Sequence, residues 1–374
     1  MRLHISIEGV NTEVDKNKLV ILSKRPLKVL SSAVLNGGLV KANGIISIHV
    51  TEDRDEEIHK NPEEFLKKAA VKSGLDSKKV VGLMTAADLR NVVVFDQKHQ
   101  DITLSAFVTA GVDVSATAGE TTVSKPNSFN VEKLGTINII LLINGSLTDS
   151  CMVDVVKTAT EAKTIALREL DVRSRFSGDL ASGTVTDSVV VACTKRGKPI
   201  KYAGTATTLG ELIGKSVKKS VKKAIQKQAK MVANRPLTKR LEERGISFTN
   251  MIALFSEIHP TIRGNSEKLR KLREELQQAL SDPNVASLVI AALRLDDDAK
   301  MGLIPVGACD KSLVCEILQT AVIDYLCKKD KTSNYLRLDD KSPAVADRLG
   351  PFARSILVAI MHNIYSNIDA QSSN

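Results

Sequence analysis

The run Ile137–Ile143, INIILLI, is the feature that most restricts what this chain can fold into. Gly135 stands just before it, Asn144-Gly145 just after it, and six of its seven residues are apolar. Such a short, nearly unbroken run between turn signals suits a strand covered on both faces. Ser146 to Ser150 then offer helix-capping side chains. In the helix that follows, Met152, Val155, Ala159, Ala162, Ala166 and Leu170 recur at spacings of three and four, a stripe that would face a sheet. A loop rich in glycine and hydroxyls, SGTVTD, leads to a second apolar strand, SVVVAC, and YAGTATTLGELIG leads to another helix. Alternating strands and helices predict an α/β domain with a mixed sheet flanked by helices, and ligands in such sheets usually sit at the carboxyl ends of strands.

The connections of this stretch are crowded with polar groups: Asn138, Asn144, Thr158, Thr160, Glu161, Lys163, Thr184, Thr186, Asp187, Tyr202, Thr205, Thr207 and Glu211. A purely structural α/β unit does not need so many. Glu161 lies about 100° around the helix from Ala162 and is expected at the border of the buried stripe. Lys163 falls on a different face and should not pair with it. A carboxylate at a core border suits a general base; the plainer reading is a surface ion pair. Asp187, where a loop enters a buried strand, is either a turn-capping acid or a site residue.

The N-terminal sixty residues read as short strands, RLHISIEG, KLVILSKR, LKVLSSAVLNGG and NGIISIHV, with turns at Asn36-Gly37-Gly38 and Asn43-Gly44. Asn61-Pro62 starts a helix ending near Gly74. The loop Val112–Ser128 has no apolar period and is expected to be mobile, a closure over a site. From Lys215 to Lys230 seven lysines occur without an acid, opposite an apolar stripe of Ile213, Val217, Val221 and Ala224. A solvated lysine face explains this; an anionic partner is the functional alternative. Past Asn234-Arg235-Pro236 the pattern becomes almost wholly helical, so two domains are expected, 1–233 and an all-α 234–374.

Composition narrows the function classes. Aromatic residues make up 3% of the chain and Trp is absent, which speaks against nucleic-acid stacking platforms. No apolar run reaches the roughly 20 residues of a membrane helix. The opening MRLHISIEGV has no signal-peptide pattern, so a cytoplasmic protein is expected. Five cysteines without CxxC and six scattered histidines argue against a disulfide framework and a zinc site.

Seven blocks, SSAVLNGG, VGLMTAAD, FVTAGV, GTINIILLINGSL, TATEAKTIALREL, SGTVTDSVVVAC and YAGTATTLGELIG, resemble the archaeal adenosylcobinamide amidohydrolase family in the same order. The resemblance implies hydrolysis of the amide between the aminopropanol arm and a corrin-ring propionate, giving adenosylcobyric acid and aminopropanol in corrinoid salvage. It assigns no catalytic residues. Amide hydrolysis needs an activated nucleophile, an oxyanion stabiliser and a proton for the leaving amine. The candidates are Glu161 or Asp187 activating water or one of Thr184, Thr186 and Thr205, with Asn138 and the Gly183 and Gly204 amides at the oxyanion and Lys163 as acid or binding group. Substrate contacts are expected at Asn36, Gly37, Thr109, Gly135, Asn144, Tyr202, Gly204 and Thr205. No cofactor is required on this reading, the corrinoid is the partner, nucleic acid is not, and a homo-oligomer is compatible.

The C-terminal domain resembles α-ribazole phosphatase, itself similar to phosphatidylglycerophosphatase A, through LEERGISFTNMIAL, AALRLDDDAKMGLIP, LVCEILQTAVIDYL and YLRLDDKSPAVADRLGPF. Where that family carries Asp-Glu this chain has Cys315-Glu316, and where it carries Asp-Asp the chain has Arg354-Ser355. Mg²⁺ would depend on Glu316, Asp339 and the acidic run Asp296 to Asp298. The losses predict a domain without catalysis. The competing readings are a bifunctional enzyme that retains the phosphatase, and a non-catalytic corrinoid-binding or scaffolding protein.

Overall fold

Alternating apolar and polar residues near the N-terminus build β1 (Val10–Val14), β2 (Lys18–Ser31) and β3 (Gly38–His49), paired antiparallel. In the computed structural model, which describes residues 1–50, 58, 60–120, 135–259, 262, 264–304, 313–330 and 349–372, three sequence expectations change here. β2 is one strand of 14 residues rather than two. Pro26 falls where the ladder shifts register between Leu22 and Leu27, so its missing N–H forfeits little pairing. Gly44 lies inside β3 rather than in a turn, because a Cβ there would stand 2.9 Å from Ile21 O. Arg2 to Gly9 is no strand: its β pairing is one isolated bridge, Arg2 with Glu13, beside a bond from Leu3 N–H to Thr12 O at 3.2 Å.

The chain continues through α1 (Pro62–Lys72), capped by Asn61, then β4 (Val80–Thr85), β5 (Val93–His99) and β6 (Ile102–Ala110). After β7 (Ser115–Ala116) come β8 (Ile137–Asn144), β9 (Ser146–Leu147), α2 (Asp149–Glu169), β10 (Gly183–Thr184), β11 (Ser188–Cys193), β12 (Pro199–Ile200) and α3 (Thr208–Ala229). The main sheet has the order β4-β3-β2-β11-β8-β6-β5, with β1 added to β2. The pairs β3/β4 and β8/β11 are parallel and the others antiparallel, so the sheet is mixed as the alternation predicts.

Both faces of β8 are buried. Ile139, Leu141 and Ile143 pack beneath α2 and α3, against Met152, Val155, Ile213 and Val217. Ile140 and Leu142 face the other way, toward Ile21, Val29 and Leu83. Three strands separate β4 from β8, about 19 Å across a flat sheet, yet Asn138 Nδ2 on β8 donates to Met84 O on β4 at 2.8 Å. The sheet therefore curls, and Ile140 and Leu142 lie inside the curl.

The described residues group into two units, Met1–Ala233 and Asn234–Asn374. The second consists of α4 (Leu237–Glu243), α5 (Phe248–Ile258), α6 (Ser266–Ser281), α7 (Pro283–Lys300), α8 (Leu313–Asp330) and α9 (Pro351–Ser372) around a core that includes Phe255, Leu272, Leu276, Val289, Ile356 and Ile360. The helix α4 was not anticipated; it follows Pro236 directly and is tied down by Arg235, whose guanidinium pairs with Glu243.

Candidate active site at the amino ends of β8 and β11

Asp187 closes the loop that enters β11, and both of its carboxylate oxygens are engaged. Oδ2 pairs with Lys163 Nζ from α2 and accepts the Thr184 backbone N–H at 3.1 Å. Oδ1 accepts the Ile137 N–H at 3.1 Å and the Thr184 hydroxyl. The Lys163 and Asp187 side chains are 10% and 13% exposed, so their attraction acts in a poorly solvated place. Thr184 is half-buried at the rim. A hydroxyl donating to a carboxylate that a buried ammonium holds in place has the layout of an activated nucleophile.

The backbone around Asp187 is shaped for this approach. A Cβ on Gly183 would run into Asp187 Oδ2 and stand 2.8 Å from Lys163 Nζ. β10 pairs with β7, setting Gly183 opposite Ala116 and Thr184 opposite Ser115. Ala118 N donates to Ser182 Oγ at 2.8 Å, and Glu120 accepts from Ser174 Oγ at 2.7 Å. Residues 112–120, expected to be mobile, are thus hydrogen-bonded down beside the site; residues 121–128 of that loop lie outside the described ones.

Other expected residues share this end of the sheet. Thr109, Asn138 and Ser188 stand in register on adjacent strands. Gly135 crosses closely over Gly111, since a Cβ on Gly135 would be 2.7 Å from Gly111 O. Asn138 Nδ2 gives one of its two N–H groups to Met84 O at 2.8 Å, and its buried Oδ1 has no hydrogen-bond partner among the described residues. Ser32 was not singled out as a candidate. Its Oγ lies 3.0 Å from Ser188 Oγ and accepts the Val189 N–H at 3.1 Å; the block SSAVLNGG was its only signal.

Glu161 is exposed, not at the core border, because it lies about 200° around α2 from the buried Lys163. It is not among the groups that contact Asp187. Replacing it by Gln should leave kcat within about threefold of wild type, because it touches none of the groups that would need a base.

Asn144, Tyr202, Gly204 and Thr205 belong to the opposite end, about 20 Å along β8 from Asn138 at roughly 3.3 Å per residue. There Asn144 Oδ1 accepts the Thr194 hydroxyl at 2.9 Å, and β9 pairs with β12. Tyr202 is 69% exposed and Thr205 is exposed. Thr186 is exposed as well, its carbonyl accepting from Thr136 Oγ1 at 2.9 Å. Asn36 and Gly37 serve the loop itself: Asn36 Nδ2 donates to Ser77 O and Val80 O, both at 2.7 Å, and a Cβ on Gly37 would strike Ala33 O. Burial pushes the Cys151 thiol up to about 11, which suits a small core residue rather than a nucleophile.

Among the described residues of the helical unit, those expected at a magnesium phosphatase centre do not form one. Cys315 Sγ contacts Pro351 O at 4.0 Å, and Gln319 Nε2 donates to Ser355 Oγ at 2.6 Å, so neutral groups meet where α8 faces α9. Asp296 caps α9, accepting the Phe352 and Ala353 N–H groups at 3.0 and 2.9 Å. Asp297 approaches Arg244 at 3.4 Å. Glu316 is exposed, and Asp339 lies outside the described residues.

Burial raises the Asp296 carboxyl to about 6 despite those two N–H groups. A carboxyl raised in the folded state adds stability that is complete below its unfolded value, near 3.8, and lost as pH rises through about 6. The difference in Tm between wild type and Asp296→Asn should therefore shift in favour of wild type as pH falls from 7 to about 5. The hydrogen-bonded pair His259 and His362, both lowered by burial, titrates in the two proteins alike. A difference that stays constant across that range would refute the assignment.

Residues 4–233 match the family described as adenosylcobinamide amidohydrolase. An uncharacterized protein of Methanocaldococcus jannaschii is 31% identical over 223 residues, 56% of this chain and 85% of that protein. An adenosylcobinamide amidohydrolase of Methanosarcina mazei is 32% identical over 191 residues, 49% of this chain and 82% of that one. A solved protein of Pyrococcus horikoshii aligns over 60% of this chain and 81% of its own at 13% identity and a TM-score of 0.27, too distant to carry an argument.

Proposed function

Because the chain belongs to the adenosylcobinamide amidohydrolase family, and so is a hydrolase acting on an amide, we propose that Thr184, Asp187 and Lys163 cleave the aminopropanol amide of adenosylcobinamide. The observation that carries this reading is the hydroxyl of Thr184 donating to a carboxylate that Lys163 holds. Asp187 takes the Thr184 proton as Oγ1 attacks the amide carbon. A C–O bond forms and the carbonyl oxygen becomes an oxyanion beside the Lys163 ammonium. The C–N bond then breaks, and the proton held by Asp187 goes to the amine, which leaves as aminopropanol. Water attacks the resulting ester with Asp187 again taking a proton, which releases adenosylcobyric acid and restores Thr184. The ordered 112–120 segment and Ser32 contribute the wall against which the corrin arm lies.

No cofactor takes part in this scheme, and the commitment of Asp296 and Asp297 to Phe352, Ala353 and Arg244 supports a helical unit without phosphatase chemistry. The test is incubation of the full chain with adenosylcobinamide, with and without EDTA, following aminopropanol and adenosylcobyric acid by mass spectrometry. Product in both samples is expected, with Thr184→Ala slower by at least ~100-fold. Full activity of Thr184→Ala would move the nucleophile to water activated by Asp187. Tight corrinoid binding without product would instead favour a non-catalytic corrinoid-binding protein.

A further inference from the structure

The lysine-rich face of α3 plays no part in the chemistry above, and it lines a concavity. A cleft of about 450 Å³ lies between the end of α2 and α3, lined by Lys218, Lys219, Lys222 and Lys223 together with Glu169. Its remaining wall is largely aliphatic, from Leu170, Met231 and Val232. Glu169 is shared: Lys218 Nζ reaches Oε1 at 3.0 Å and Lys222 Nζ reaches Oε2 at 2.8 Å. The other two lysines form a second pair one turn apart. Lys219 Nζ sits 4.6 Å from the centre of the Phe95 ring, and neither Lys219 nor Lys223 has an acidic partner among the described residues. Like charges spaced four apart on a helix repel, and here a single carboxylate offsets four ammoniums.

We propose that this cleft is a binding site for a small organic phosphate carrying at least two negative charges on a body with an apolar face. The volume falls within the range of small-molecule sites rather than of macromolecular docking faces. The lining contains neither arginine nor an aromatic ring, which separates it from a nucleic-acid groove. Lys219 and Lys223 take the phosphate oxygens, Lys218 and Lys222 remain on Glu169 and add field, and the Leu170 and Met231 side chains take the apolar part. The site is separate from the Asp187 cluster: Glu169 and Lys163 are six residues apart on α2, about 9 Å along its axis.

The experiment uses the full chain at 0.15 M salt, with ADP and inorganic pyrophosphate as probes in titration calorimetry and thermal unfolding. ADP should bind saturably and raise Tm, as any ligand selective for the folded state does. Pyrophosphate should bind more weakly, lacking an apolar body. Lys219→Gln/Lys223→Gln, two exposed positions, should weaken ADP binding at least tenfold and leave amide hydrolysis unchanged. Absence of saturable binding, or equal ADP binding by the double variant, would overturn the proposal. Pyrophosphate binding as tightly as ADP would overturn its apolar half.

Discussion

Asp187→Asn should lower kcat for amide hydrolysis by at least ~100-fold while the protein remains folded. Asparagine keeps the size of the side chain, but its single oxygen can accept from either the Ile137 or the Thr184 N–H, which the carboxylate takes on separate oxygens, so the loop keeps only part of its hydrogen bonding. It removes the charge that orients the Thr184 hydroxyl and neutralises Lys163. The variant also leaves a nearly buried ammonium without a counter-charge, and truncating one partner of a buried pair typically costs about 3–5 kcal/mol, less where water still reaches the pair. Stability and rate are separated by adding Lys163→Met. The double variant should recover thermal stability relative to Asp187→Asn and recover no activity. Near-normal turnover in folded Asp187→Asn would remove the cluster from the mechanism, whatever its role in the fold.

Gly183→Ala is expected to be nearly as damaging although it changes no chemical group. The added methyl meets Asp187 Oδ2 and the Lys163 ammonium, and relieving the clash moves one or both of these side-chain ends out of their pairing and away from the two backbone N–H groups that hold Asp187. Forced displacement of packed groups costs about 1–3 kcal/mol. A misplacement on the order of 1 Å in a reacting group costs roughly 100-fold in rate. Gly204→Ala is the matched control, since nothing lies within 4 Å of a Cβ at that position. Its activity and Tm should stay at the wild-type level. If both alanines were silent, the close packing at Asp187 would be irrelevant to turnover; if both were damaging, the opposite end of the sheet would have to be part of the site.

The run INIILLI determines by itself that β8 is buried on both faces, because no exposed strand tolerates six apolar residues in seven. The caps of the central helices are equally local: Thr148 and Thr207 each accept an N–H three residues on, a bond that depends on nothing beyond the first turn. The change from strand to helix pattern near Asn234 is legible for the same reason, since periodicity is a property of neighbours in sequence. Tertiary structure alone decided which end of the sheet carries the candidate site. Hydroxyls crowd both ends of β8, and only the curl and the loop entering β11 distinguish them. Hydrophobic patterning puts Glu161 at the border of the buried stripe of α2 and Lys163 on a different face; Glu161 is nevertheless exposed, and Lys163 is buried, because its charge is matched by a carboxylate 24 residues away on another element. A stripe of alanines records that a helix face is covered, and it carries no information about which polar neighbour will meet a partner there. That information resides in the pairing of distant segments, which desolvation penalises unless both charges arrive together.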